Sequence, residues 1–314
     1  HSFPTRRSSD LLVLPDGTTW AGTDDGIIGV YDAKGQLTGY VDGNGRIASS
    51  PTKIARKISA LYRDSKGRIY IGTRNDGLFI IDNGKKTRYV HDNDAYSLSS
   101  DEIYDFDEDE QGNLWVATYG GGPNLIKRQE NGTLRFIHAG NEMKQYPLST
   151  FNQIRRITHD GKGAVILSST SGIVTFSNRF TQPSAIHFFT TSYHQGDTTS
   201  IRTSDVLQTL ITRKGDTYVT TMGGCVQQLT SSNLLLNDLR FRTIKQKTRG
   251  NVLSLIEDRN GNLWGVHEAS LYMFNPQKDI ITEYGPNKLG DHIGFTEGEP
   301  LMNLQTGLLV MPTM

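Results

Sequence analysis

The sequence predicts an all-β fold, a β-propeller of four-stranded antiparallel blades, and three regularities predict it. A glycine recurs at Gly17, Gly67, Gly112, Gly163, Gly215, Gly261 and Gly307, with spacings of 50, 45, 51, 52, 46 and 46 residues. Three residues beyond each stands Trp20, Tyr70, Trp115, Ile166, Tyr218, Trp264 or Val310, so all three tryptophans share one register. Six residues beyond stands Thr23, Thr73, Thr118, Ser169, Thr221, His267 or Thr313. Units of this length with strand periodicity and no helical period read as propeller blades, not as a parallel βαβ sheet or a short-repeat solenoid.

Each unit opens on an apolar run headed, nine residues before the glycine, by Ile58, Ile103, Ile154, Val206 or Val252. The run ends at Asp-x-x-Gly, with Asp64, Asp109, Asp160 and Asp258 in four copies and Leu14, Thr212 and Leu304 in the others. Aspartate bonds the local backbone there and glycine supplies a positive φ, which makes a tight turn. A second strand follows, such as RIYIGT at 68–73 or NLWVAT at 113–118. A glycine-containing turn leads to a third, such as GLFIID at 77–82, and a less regular fourth follows, such as TLRFIHA at 133–139.

Residues 1–10, HSFPTRRSSD, fit no blade and resemble translated adapter sequence, so the propeller is read over residues 11–314. That reading leaves the ring cut at both ends. Part of the first innermost strand is missing, and the last blade stops inside GLLVMPTM. Six nearly complete blades plus part of a seventh are expected, from a seven-bladed parent, with eight as the alternative.

Composition narrows the function. Lys plus Arg and Asp plus Glu are each 33, a net charge of zero, which argues against a general nucleic-acid surface or a polybasic membrane face. With one cysteine, Cys225, no intrachain disulfide can form, and its place beside Gly224 reads as a small buried residue. No apolar run reaches the ~18 residues of a membrane helix.

The segment SLSSDEIYDFDEDEQGNLWVATYGGGPNLI at 97–126 resembles the two-component regulator propeller repeat, and the segments 58–81 and 252–274 resemble it too. The units at Gly163 and Gly215 are weaker, lacking the aromatic or the aspartate. The resemblance implies the periplasmic sensor region of a hybrid two-component histidine kinase of the kind common in gut Bacteroidetes. It would detect oligosaccharides and control polysaccharide-utilisation genes. It further implies a second propeller and a β-sandwich in the same parent chain, an inner-membrane anchor, and a homodimer. The stretch 294–310 resembles the last blade before the sandwich, which would make this the membrane-proximal propeller.

No catalytic, cofactor or metal motif stands out. Asp105, Asp107 and Asp109 imitate the start of a calcium loop, but Glu110 and Val116 occupy the positions that need glycine and glutamate. They read instead as a strand running into its turn. The eight histidines form no His-x-x-x-His pair, and there is no G-x-S-x-G elbow. GGGPNL at 120–125 lacks the lysine of a phosphate loop.

Ligand-binding candidates therefore come from geometry. The loop entering each blade and the turn after its second strand share one face. The turns place Asp25, Arg74, Asn75, Asp76, Tyr119, Met222, His267 and Glu268 there, and the entering loops place Arg56, Asp101, Asn152, Arg155, Asp205 and Arg249. Arg74, Asn75, Tyr119, Arg155, Arg249, His267 and Glu268 are the binding candidates, since aromatics, guanidinium forks and carboxylates suit hydroxyl-rich or acidic sugars. His267 stands where the other units carry Thr, Ser. The alternatives are a propeller enzyme of lyase type, drawing on His267, Glu268 and Arg249, and a protein-interaction scaffold.

Overall fold

The computed structural model describes residues 8–224, 226–244, 252–267, 270–285, 301–302 and 309–310. Cys225, Arg249, Glu268 and most of 286–314 lie outside the described residues. Strands β1 (Ser8–Val13), β2 (Thr19–Thr23), β3 (Ile28–Tyr31), β4 (Leu37–Val41) and β5 (Ile47–Ala48) form the first blade. The second holds β6 (Ile58–Arg63), β7 (Ile69–Thr73), β8 (Leu78–Asp82) and β9 (Lys85–Tyr89). The third holds β10 (Ile103–Glu108), β11 (Leu114–Thr118), β12 (Gly122–Arg128) and β13 (Leu134–Ile137). The fourth holds β14 (Ile154–His159), β15 (Ala164–Ser169), β16 (Gly172–Ser177) and β17 (Phe188–Thr191). The fifth holds β18 (Val206–Ile211), β19 (Thr217–Thr221), β20 (Val226–Leu229) and β21 (Phe241–Thr243). The sixth holds β22 (Ser254–Glu257), β23 (Leu263–His267), β24 (Ser270–Asn275) and β25 (Ile280–Tyr284).

Every sheet is an antiparallel meander in chain order, as expected. Innermost strands β1, β6, β10, β14, β18 and β22 contact one another in sequence around the axis. A two-stranded sheet, β26 (Leu301–Met302) and β27 (Leu309–Val310), sets β26 against both β22 and β1, as part of a seventh blade.

Two expectations need correction. The first innermost strand is a full six residues, because Ser8–Asp10 of the decapeptide set aside above belong to it. Asp10 is buried and accepts the backbone N–H of Leu61 in the next blade. The first blade also has five strands, since the chain after β4 turns at Asn44–Gly45 and pairs β5 on its outer edge.

The core lies between blades rather than at the axis. Alternate residues of a strand face opposite sides of its sheet, so each blade serves two interfaces. In β15, Val165 and Leu167 pack toward the third blade, whereas Ile166 packs toward the fifth. In the first five blades the residue three beyond the turn glycine faces the following blade: Trp20, Tyr70, Trp115, Ile166 and Tyr218 each sit in that interface cluster.

The Asp-x-x-Gly turn explains the aromatic. Asp109 Oδ1 accepts the backbone N–H groups of Gln111 and Asn113, at 3.0 and 2.9 Å, while Oδ2 accepts Trp115 Nε1 at 2.9 Å. Asp258 treats Asn260, Asn262 and Trp264 the same way, and Asp64 takes the Tyr70 hydroxyl at 3.1 Å. Where Leu14 or Thr212 replaces the aspartate, the turn survives through the backbone bond to Gly17 or Gly215, both at positive φ. The threonine six beyond the glycine closes the next turn: Thr73 and Thr118 donate to the carbonyls of Gly77 and Gly122, each at 2.6 Å.

A candidate ligand-binding face

One backbone hydrogen bond, repeated in four blades, fixes the face. The residue seven beyond the turn glycine donates its N–H to the carbonyl ten before the same glycine: Arg74 to Lys57 (3.1 Å), Tyr119 to Glu102 (2.9 Å), Thr170 to Gln153 (3.2 Å) and Met222 to Asp205 (2.8 Å). Entering loop and second turn are thereby tied together at one end of each blade. Just inside this bond the innermost strand carries a bulge, and the extra residue is Ser59, Tyr104, Arg155 or Leu207. A bulge bends the strand and re-aims the side chain it carries.

These two devices bring side chains from successive blades into contact. The Arg74 guanidinium lies 3.4 Å from the centroid of the Tyr104 ring, and Tyr104 stacks on Tyr119 at 4.8 Å with 18° between planes. Arg74 Nη1 also reaches Glu102 Oε1 at 3.2 Å. In the next blade Arg155 grips Asp205 with a two-pronged fork, at 2.9 and 3.1 Å. A β-bridge between Tyr119 and Gln153 joins the two groups. Lys57 pairs with Asp24 at 2.7 Å on the other side of Arg74.

Arg74, Tyr119 and Arg155 therefore fall on one arc of the rim, across the second to fifth blades. Asn75 is exposed beside Arg74 at φ 68° but contributes no side-chain bond to the arc. His267 ends β23 in the sixth blade, where its ring meets Tyr272 edge-on at 6.0 Å, apart from the arc. Tyr104 and Glu102 were missed by sequence reasoning. The signal for Tyr104 was present: in β10 the buried residues are Ile103 and Phe106, three apart, which a strand shows only where it bulges.

Below this rim runs an axial cavity of about 380 Å³. One wall carries Tyr62, Arg63, Asp105, Asp107, Arg156 and Thr158, and another is aliphatic, with Leu12, Val13, Leu210 and Ile211. The three aspartates of the false calcium loop serve three ends. Asp105 accepts the backbone N–H of Ile157 in the next blade at 2.9 Å, Asp107 pairs with His159 Nδ1 at 2.6 Å, and Asp109 holds the turn. Asp10 and Gln208 repeat the Asp105 role, the latter accepting Leu255 N–H at 2.6 Å. The Asp107 bond holds the His159 imidazole above its usual pKa, against the opposing effect of burial. Among the described residues no cluster of His, Cys, Asp and Glu is arranged to hold a metal ion.

Residues 53–75 and 97–120, spanning the entering loops and first two strands of the second and third blades, match the family model for the two component regulator propeller. They contain Arg74, Glu102, Tyr104 and Tyr119, so the arc is built largely on them. A search of curated proteins finds no match. Among solved structures the chain is similar to virginiamycin B lyase from Staphylococcus aureus, with 15% identity, a TM-score of 0.63, and coverage of 98% of this chain and 92% of that one. It is similar to PorZ, a surface component of the type-IX secretion system of Porphyromonas gingivalis, at 14% identity and a TM-score of 0.67, covering 98% of this chain and 47% of that one. It is also similar to the Cps50 (Swd1) propeller domain of Myceliophteria thermophila, at 11% identity and a TM-score of 0.64, covering 100% of this chain and 99% of that one. At such identities these likenesses carry the propeller fold alone. Among the described residues no helix is long and apolar enough to cross a membrane.

Proposed function

We propose that the chain is a ligand-sensing propeller of a hybrid two-component sensor, acting outside the cytoplasmic membrane and binding an oligosaccharide on the arc from Arg74 to Asp205. The observation that carries the reading is the row Arg74–Tyr104–Tyr119 set beside the Arg155–Asp205 fork, on the face where the regulator-type repeats gather their loops. An aromatic ring offers a sugar its apolar face, and forked charge pairs accept and donate to its hydroxyls. Both are what a binding role requires, and no proton-transfer constellation is needed. The parent chain would supply a second propeller, a β-sandwich and a homodimer interface, and ligand binding would act by favouring one arrangement of these rigid parts over another.

Isothermal titration of the chain against a panel of oligosaccharides tests the binding, with Tyr119→Ala as the control. The expected result is a saturable heat that Tyr119→Ala reduces at least tenfold in affinity while its thermal midpoint stays within a few degrees. Turnover of any panel sugar, followed by product chromatography, would instead establish an enzyme. Of the residues a lyase-type reading invoked, His267 is the described one, and its ring meets Tyr272 of its own blade.

A further inference from the structure

The charged groups around the mouth come in inter-blade pairs. Asp24 of the first blade meets Lys57 of the second at 2.7 Å, and Arg74 of the second meets Glu102 of the third at 3.2 Å. Arg155 of the fourth meets Asp205 at the start of the fifth at 2.9 Å. Each of these three pairs joins one cation to one anion and so carries no net charge. The Arg155–Asp205 pair is the most enclosed, with Arg155 16% exposed, and it uses Nε and Nη2 of the fork together.

From this we infer that the arc selects neutral, hydroxyl-rich ligands and discriminates against uronic and sulfated ones. The inference rests on the proposed ligand-binding role of the same face. A carboxylate or sulfate reaching Arg155 meets a guanidinium whose Nε/Nη2 edge Asp205 already holds, and is repelled by that neighbouring carboxylate. An anion approaching Arg74 meets Glu102 in the same way. A hydroxyl faces neither penalty. It accepts from a guanidinium and donates to a carboxylate, so it joins both members of a pair without parting them. Tyr119, held against Tyr104, adds affinity by stacking on an apolar sugar C–H face, which does not depend on ligand charge. Lys53, Arg56 and Arg88 line a separate groove around Asp76 and Phe79, on the second blade. Anion binding there would not involve Arg155 or Asp205.

The test uses probes matched in sugar and differing in charge: hexagalacturonate against its fully methyl-esterified form, and xylohexaose against glucuronic-acid-substituted xylohexaose. Titration calorimetry of the whole chain is expected to show the neutral member of at least one pair binding ten times more tightly than its charged counterpart. Glu102→Gln and Asp205→Asn each unmask a guanidinium, and each is expected to raise the ratio of charged-member to neutral-member affinity about tenfold. Equal or tighter binding of the charged members by the unmodified chain overturns the charge selectivity and leaves the ligand-binding role standing. Anion binding abolished by Arg88→Gln and untouched by Asp205→Asn places selectivity in the other groove and overturns the inference as well. Failure of every probe, neutral and charged, removes the ligand-binding role and the inference with it.

Discussion

Asp109 and Trp115 are joined by a 2.9 Å hydrogen bond from the indole N–H to a carboxylate that is itself 3% exposed. The same carboxylate holds the tight turn at Gly112 through two backbone N–H groups, so one side chain couples a local turn to an inter-blade interface. Asp109→Ala is expected to destabilise the chain by about 2–4 kcal/mol, because it leaves the buried indole donor and the turn unserved. Trp115→Phe keeps most of the ring and should cost about 1–2 kcal/mol. Urea denaturation of both variants and the double variant gives a coupling of about 1 kcal/mol or more if the bond works this way. Strict additivity would show that the two residues act independently.

This coupling is why so much of the fold was legible. Aspartate, glycine, tryptophan and threonine act on one another within ten residues, so their spacing survives in the sequence as a repeat. What depended on pairing register was not legible. Asp10 has the same task as Asp105, capping an N–H of the next blade, and lies at the same seven-residue offset before its turn glycine, but the decapeptide around it hides that match. Tyr104 was passed over because strict alternation assigns it to a packed face, whereas the bulge turns it toward Arg74 and Tyr119. The arc was half legible: Arg74 and Tyr119 follow from turn positions and Arg155 and Asp205 from entering loops, but Glu102 and Tyr104, which meet Arg74 from the neighbouring blade, do not.

Gly72 occupies a position where the next blade presses directly on the strand. A Cβ built there would lie 2.7 Å from Ile103 Cγ2 and 3.0 Å from Ala60 Cβ. The third blade carries Ala117 at the same position, so the crowding is particular to the interface and not to the strand. Gly72→Ala is expected to cost about 1–3 kcal/mol through overpacking, and Gly72→Ala with Ile103→Val should recover part of that. Chemical denaturation reads both, and a neutral single substitution would mean that the blades are less tightly apposed than this.

Tyr104 is a positioning residue for the ligand face, since it packs between the guanidinium of Arg74 and the ring of Tyr119. Tyr104→Leu should weaken binding of a neutral hexasaccharide several-fold, and Tyr104→Phe should restore it, because the stack needs the ring and not the hydroxyl. Stability measured alongside separates the two effects. A Leu variant with full affinity would show that Tyr119 holds its place through its backbone bonds alone.

His159 gives the fold a pH dependence of defined sign. Its bond to Asp107 raises the folded-state pKa above the usual 6.5, with further help from Glu110 and Asp109. A histidine with a raised folded pKa contributes stability that is fully present below its unfolded value and is lost as pH rises through the folded one. His138 works in the opposite sense, because burial lowers its pKa and favours the neutral ring. Comparing the chain with Asp107→Asn cancels the His138 contribution, which both proteins share. The thermal midpoint of the unmodified chain should exceed that of Asp107→Asn by most below the unfolded value of 6.5, and the gap should narrow as pH rises through the raised folded-state pKa. A gap that stays constant over this range would mean that the pair is held by a neutral histidine, and that Asp107 stabilises the axis by geometry rather than by charge.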